Sequence, residues 1–138
     1  MSNYWLFKTE PEVYSWERFK EDTHTRWEGV RNYQARNNLQ QMQVGDLAFI
    51  YHSGDERMIM GVARITKSAY PDPTASSGNW VVVDIEIVKD LVRPVSLEEI
   101  KNTHPLHVMP LATQSRLSVQ PVTEAQWQMI LKIGKTEI

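Results

Sequence analysis

The sequence predicts an α+β domain in which a small curled sheet or barrel is flanked by short helices. Three observations predict it: several β-rich runs bounded by turn residues, two capping-box helix starts late in the chain, and a length of 138 residues that suits one such domain, residues 1–138. YWLFK (Tyr4–Lys8) is an aromatic and aliphatic run closed by TEPE, whose proline stops further ladder pairing, so it reads as the first strand. Ser15 is placed to cap a short helix over WERFKED, and TRWEG after it reads as a brief extended piece ending at a glycine. Two β-rich runs joined by Ser-Gly-Asp-Glu predict a hairpin with strands near Leu47–His52 and Met58–Thr66. SAYPDPTASSGN is loop by composition, and WVVVDIEIVKDL is a long strand with Val81, Val83, Ile85 and Ile87 on one face. Ser96 with Glu99 opens LEEIKN as a helix, and Thr123 with Gln126 opens EAQWQMILKI. Trp127, Ile130 and Leu131 follow helical spacing in the last of these, and Gly134 stands where a C′ residue is expected.

GVRNYQARNNLQQM (Gly29–Met42) is the unusual segment. Ala35, Leu39 and Met42 keep a helical apolar spacing and Asn32 is a plausible N-cap, yet most of the remaining positions are arginine, amide or tyrosine. From Arg26 to Gly45 there are three arginines (Arg26, Arg31, Arg36) against the single Glu28, in a chain whose formal net charge is −2. Bulk electrostatic coating of nucleic acid is therefore excluded, and any nucleic-acid contact must be local. Planar guanidinium and amide groups beside Trp27 and Tyr33 suit a grip on phosphate and a stacked base. The plainer alternative is a capped helix whose Arg36, Gln40 and Gln41 are merely solvated.

Other chemistries find little support. Zero cysteines exclude a disulfide framework, a thiolate metal site and a Cys nucleophile. Four histidines (His24, His52, His104, His107) invite a metal, but His104 and His107 flank Pro105 and Leu106 in a loop-like stretch with no carboxylate partner at ligand spacing, so no metal is expected. His52, Ser53 and Asp55 stand close in sequence without a nucleophile turn; Asp55 reads as a turn residue and Ser53 stays open. Six scattered glycines form neither a dinucleotide fingerprint nor a P-loop, and no cofactor is expected. Neither a signal peptide nor an apolar run of membrane length is present, so a cytoplasmic location, nuclear in a eukaryote, and no membrane partner are expected. Of the five tryptophans most should fill core volume, the exception being one beside polar groups at a loop.

YWLFKTEP (Tyr4–Pro11), WEGVRNYQARNNL (Trp27–Leu39), GDLAFIYHS (Gly45–Ser53), GVARI (Gly61–Ile65) and AYPDPT (Ala69–Thr74), continued by VDIEIV and RLSVQPV, together resemble the EVE domain over essentially the full chain. The resemblance implies a PUA-like small mixed β-barrel with flanking short helices, related to YTH domains. It also implies a non-catalytic module that reads a modified base, above all 5-methylcytosine or 5-hydroxymethylcytosine in DNA. Carried onto these residues, it places Lys8, Thr9 and Asn32 as polar positioners near the base. Arg31, Arg36 and Asn37 follow as phosphate or wall hydrogen-bonders, with Tyr33, Tyr70 and Pro71 as flat or apolar walls. Asp72 would read a base amino group and Ser53 would donate to a carbonyl. Val30 and Arg31 stand at a point comparable to a tryptophan of the YTH cage, implying a smaller apolar contact for the methyl group, with Trp27 in the cage or in the core.

The mechanism implied is extrusion of a base, stacking of its ring and readout of its edge. Stacking gains roughly 1–3 kcal/mol per base and unstacking costs a few, so the methyl contact and the edge bonds must decide the balance. The expected partner is DNA or RNA carrying a modified base, with an unidentified effector protein beyond it. The alternatives are a modified-RNA reader and a sensor of a free small molecule such as a nucleoside or anion.

Overall fold

Strand β1 (Tyr4–Thr9) buries Trp5 and Phe7 on one face and Leu6 on the other, so the sheet it opens must be covered on both sides. The same division recurs in β3 (Leu47–His52), where Ala48 and Ile50 face one core and Phe49 and Tyr51 the other. The computed structural model describes residues 3–138; Met1 and Ser2 of the expected domain lie outside the described residues. Helices α1 (Trp16–Asp22) and α2 (Tyr33–Gln41) cover the first face with Trp16, Phe19, Ala35 and Leu39. Helices α3 (Leu97–Lys101), α4 (Pro110–Thr113) and α5 (Glu124–Ile133) cover the second with Ile100, Leu111, Trp127 and Ile130.

The remaining strands are β2 (His24–Trp27), β4 (Met58–Pro71), β5 (Val81–Ser96) and β6 (Val119–Val122). They complete a six-stranded mixed sheet of order β2-β5-β4-β3-β1-β6, in which β1 and β3 pair in parallel and the other neighbours antiparallel. The α+β class is as expected; the sheet is barrel-like but open, with β2 and β6 as its edges. Register shifts in the β4–β5 pair mark bulges, which raise local twist. They also carry the pairing further than composition suggests. Tyr70 and Pro71, expected in a loop, pair with Val82 and Val81, and β5 runs on to Ser96.

Local signals account for the helix starts. Ser15 and Asn32 accept from the backbone N–H groups of Arg18 and Ala35, and both capping boxes form. Gly134 departs from expectation. It is the C-cap of α5 with an ordinary φ of −76°, and Lys135 carries the positive φ. A Cβ at 134 would lie a tight 3.2 Å from the carbonyls of Arg93 and Ile130, so the close packing there favours glycine. Gly61 on β4 is more constrained, since a Cβ there would overlap the indole of Trp16, which is 1% exposed. Gly61→Ala is therefore expected to lower stability by about 1–3 kcal/mol or more, read as a lower urea midpoint at unchanged m. An unchanged midpoint would show that Trp16 can withdraw freely.

Candidate nucleic-acid interface

A cavity of about 620 Å³ opens at the end of β1. Lys8 and Thr9 line it from β1, Thr25, Arg26 and Trp27 from β2, Glu28–Asn32 from the segment entering α2, and Ser118 from just before β6. It thus has walls from one edge strand and from the approach to the other, where the sheet does not close. The backbone N–H of Ile87 donates to the Thr23 carbonyl at 3.0 Å, which sets the ladder so that Thr25 and Trp27 bond to β5. The N–H and C=O of Arg26 then point to the free edge of β2. A volume of this size suits a nucleobase or similar small ring.

The walls mix apolar and polar groups. Trp27 and Val30 are 8% and 6% exposed, and Trp27 packs at 5.0 Å from the Phe7 ring and edge-on to Tyr14. Lys8 donates from Nζ to the carbonyls of Ser115 (3.1 Å) and Gln114 (3.4 Å), and burial lowers its pKa. Arg26 is engaged by Glu28, with Nη2 2.7 Å from Oε2. The Thr9 hydroxyl donates to the Tyr14 carbonyl at 2.7 Å and so holds the turn after β1.

Asp72 ties the cavity wall to the loop between β4 and β5. Its side chain is fully buried, and Oδ2 accepts from the Gly29 N–H and from Arg31 Nη1, each at 3.0 Å. Oδ1 accepts from the N–H and hydroxyl of Thr74 at 2.7 and 2.6 Å. Burial alone would raise this carboxyl's pKa, but the donors from Thr74, Gly29 and Arg31 outweigh it and hold the group well below the usual carboxylate range. Gly29 has φ +81°, a conformation that presents its N–H to Asp72 without strain.

Beside the cavity lies an aromatic and cationic cluster. Tyr33, the first residue of α2, stacks on Trp80 at 5.1 Å between ring centroids and 25° between planes. The Arg36 guanidinium is 5.0 Å from the Tyr33 centroid and 5.8 Å from that of Trp80, while Arg31 is 5.6 Å from Trp80.

A sequence profile of the EVE domain matches residues 3–133. The chain belongs to the EVE domain family. Mouse thymocyte nuclear protein 1 is 38% identical to it over 99% of this chain and 76% of its own length. A crystal structure of human THYN1 protein in complex with 5-methylcytosine-containing DNA superposes with TM-score 0.91 at 37% identity, covering 99% of this chain and 100% of that one. The YTH domain of Zygosaccharomyces rouxii MRB1, solved with N6-methyladenosine RNA, superposes at TM-score 0.61 and 16% identity, over 99% of this chain and 88% of that one. That likeness carries the fold alone, and it agrees with the mixed sheet flanked by short helices.

Within this EVE domain the expected site residues divide into groups. Lys8, Thr9, Trp27, Val30, Arg31 and Asn32 meet in the cavity walls. Tyr33 and Arg36 are on the adjoining surface, where Asn37 Oδ1 accepts from Arg36. Four of the expected residues, Asp72, Ser53, Tyr70 and Pro71, stand elsewhere. Asp72, expected to read a base amino group, has its carboxylate taken by four donors. Ser53 lies outside the lining, its hydroxyl donating to the Thr9 carbonyl at 3.3 Å. Tyr70 and Pro71 are strand residues outside the lining; the Tyr70 hydroxyl donates to Asp84, and burial and that carboxylate push its pKa up to about 12. The His52 ring is engaged by Trp16 and Glu56: its Nε2 accepts from the Trp16 N–H and its Nδ1 contacts Glu56. Glu28, Ser118 and Trp80 were missed. Trp80 is the half-buried tryptophan at a polar loop that composition allowed for, whereas Ser118 carries no sequence mark.

Proposed function

We propose that this EVE domain, residues 1–138, is a non-catalytic reader of a modified base in nucleic acid, with 5-methylcytosine or 5-hydroxymethylcytosine in DNA as the base taken into the cavity. The observation that carries the reading is the cavity at the open edge of the sheet, whose walls join apolar Trp27 and Val30 to hydrogen-bonding groups from separate segments. The 5-methylcytosine-containing DNA bound by human THYN1 protein supports the choice of ligand. Trp27 and Val30 supply the flat and apolar contacts, including the one to the methyl group. The Lys8 ammonium, the Asn32 amide and the exposed N–H and C=O of Arg26 supply edge hydrogen bonds. Arg31, Arg36 and Asn37 face the phosphates. Of the carboxylates at the cavity, Glu28 in the wall is held by Arg26 and Asp72 behind it by its four donors, which suits binding more than proton transfer. An effector protein that uses the bound state, and a cytoplasmic location or a nuclear one in a eukaryote, belong to the same proposal.

The test is a titration of labelled DNA and RNA, single and double stranded, carrying cytosine, 5-methylcytosine, 5-hydroxymethylcytosine or N6-methyladenine, at two salt concentrations. Burying one methyl group contributes about 0.8 kcal/mol, or about fourfold in Kd, so modified-cytosine DNA should bind at least that much tighter than its unmodified form. Tightest binding to a modified RNA would move the reading to RNA. Affinity indifferent to modification and lost at physiological salt would sink it.

A further inference from the structure

The base cavity leaves a second recognition feature unused. Tyr33 is 67% exposed, large for an aromatic ring, yet it is not loose: Trp80 supports one face. Trp80 is itself held, because its carbonyl accepts from the Asp72 N–H at 2.9 Å. At Gly78, with φ +87°, a Cβ would come within 2.8 Å of the Trp80 indole nitrogen, so the loop is shaped to let that ring lie against it. The two distances from Arg36, 5.0 and 5.8 Å, together with the 5.1 Å between the rings, form a nearly equilateral triangle. The guanidinium is thus close to both rings at once, and Tyr33, 67% exposed, still keeps a broad part of its ring open to solvent.

Charge points to the same occupant. The described residues give Arg36 no carboxylate partner, only the Asn37 amide oxygen at 3.2 and 3.4 Å, so its positive charge is not neutralised within the protein. Tyr33 directly follows Arg31 and Asn32 in the chain, and both of those line the cavity. A strand whose base enters the cavity would carry its next nucleotide across this surface.

We propose that the outer face of Tyr33, backed by Trp80 and flanked by Arg36, is a second nucleotide subsite, which stacks the base next to the modified one and takes the phosphate between them. This rests on the reading of the cavity as a modified-base site. The subsite holds a base by its flat face, which every base has, so it accepts any neighbouring base and adds affinity with little sequence preference.

The experiment uses single-stranded DNA with one 5-methylcytosine, the same strand with an abasic site on its 5′ or 3′ side, and the strand with unmodified cytosine. Wild type should lose about tenfold in affinity when one of the two neighbours is abasic, in line with stacking on an aromatic ring. Tyr33→Ala should lose about as much on the intact strand and little more on the abasic one. It should keep the wild-type ratio between 5-methylcytosine and cytosine, and its thermal unfolding should stay near wild type because the ring is exposed. Arg36→Gln should flatten the dependence of log K on log salt by about 0.7, the share of one phosphate on a single strand. Preference for 5-methylcytosine with less than twofold effects from both abasic sites and from Tyr33→Ala would overturn the subsite and leave the cavity reading intact. Loss of that preference in the wild type would overturn both.

Discussion

Asp72→Ala is expected to destabilise the protein by about 3–5 kcal/mol, because it leaves Arg31 and the Gly29 and Thr74 N–H groups without the buried carboxylate that satisfies them. The effect should reach binding as well. Asp72 connects the Gly29–Arg31 wall to the loop that carries Trp80, so its loss frees both the cavity wall and the support of Tyr33. The dependence on pH follows from the depressed carboxyl pKa. The contribution of Asp72 is complete above the pKa of an unfolded aspartate, about 3.9, and is lost as pH falls through that value toward the lower native one. Wild type and Asp72→Ala should accordingly differ most near neutrality and converge as pH falls below about 4. Asp72→Asn is isosteric but presents an amide NH2 where Gly29 and Arg31 donate, so it too should be destabilised at pH 7. Urea unfolding of the three proteins from pH 7 to 3 checks this. A gap that stayed constant in acid would show that Asp72 acts by shape and not by charge.

What could be read from the sequence depended on how local the cause was. Caps at Ser15, Asn32, Ser96 and Thr123 involve partners three residues away, so the residue types alone announce them. Strand alternation at Val81, Val83, Ile85 and Ile87 is local in the same way, and all four side chains face one core. The cavity walls between Trp27 and Asn32 were legible as a cluster of chemistry in a short segment. Asp72 shows where such reading stops. Its place within the AYPDPT block implied, by resemblance, a base-reading role, but its four donors come from residues 29, 31 and 74, and only the folded loop brings the first two to it. Tyr70 failed for a related reason. Proline and serine nearby suggested a loop, yet the bulged pairing of β4 with β5 absorbs it into the sheet and commits its hydroxyl to Asp84.

Trp127→Ala is expected to cost about 3–5 kcal/mol of stability while leaving unchanged the affinity of the folded protein for the 5-methylcytosine DNA of the proposed function. The indole is 1% exposed and stacks between Tyr4, at 4.4 Å, and Phe49, at 3.9 Å, so truncation removes two aromatic contacts and opens a large void beneath α5. That void lies in the core of Leu6, Phe49 and Ile130, whereas Trp27 and Val30 of the cavity belong to the core on the other face of the sheet. The β1–β3 and β3–β4 ladders separate the two, and their backbone bonds do not depend on the indole. Stability and recognition should therefore part in this variant, whereas Asp72→Ala should lose both. Urea midpoints give the first quantity, and DNA titration in cool, fully folded conditions gives the second. A Kd that rose severalfold in folded Trp127→Ala would mean that the sheet transmits strain between its faces, and the cavity would then have to be treated as shaped by both cores.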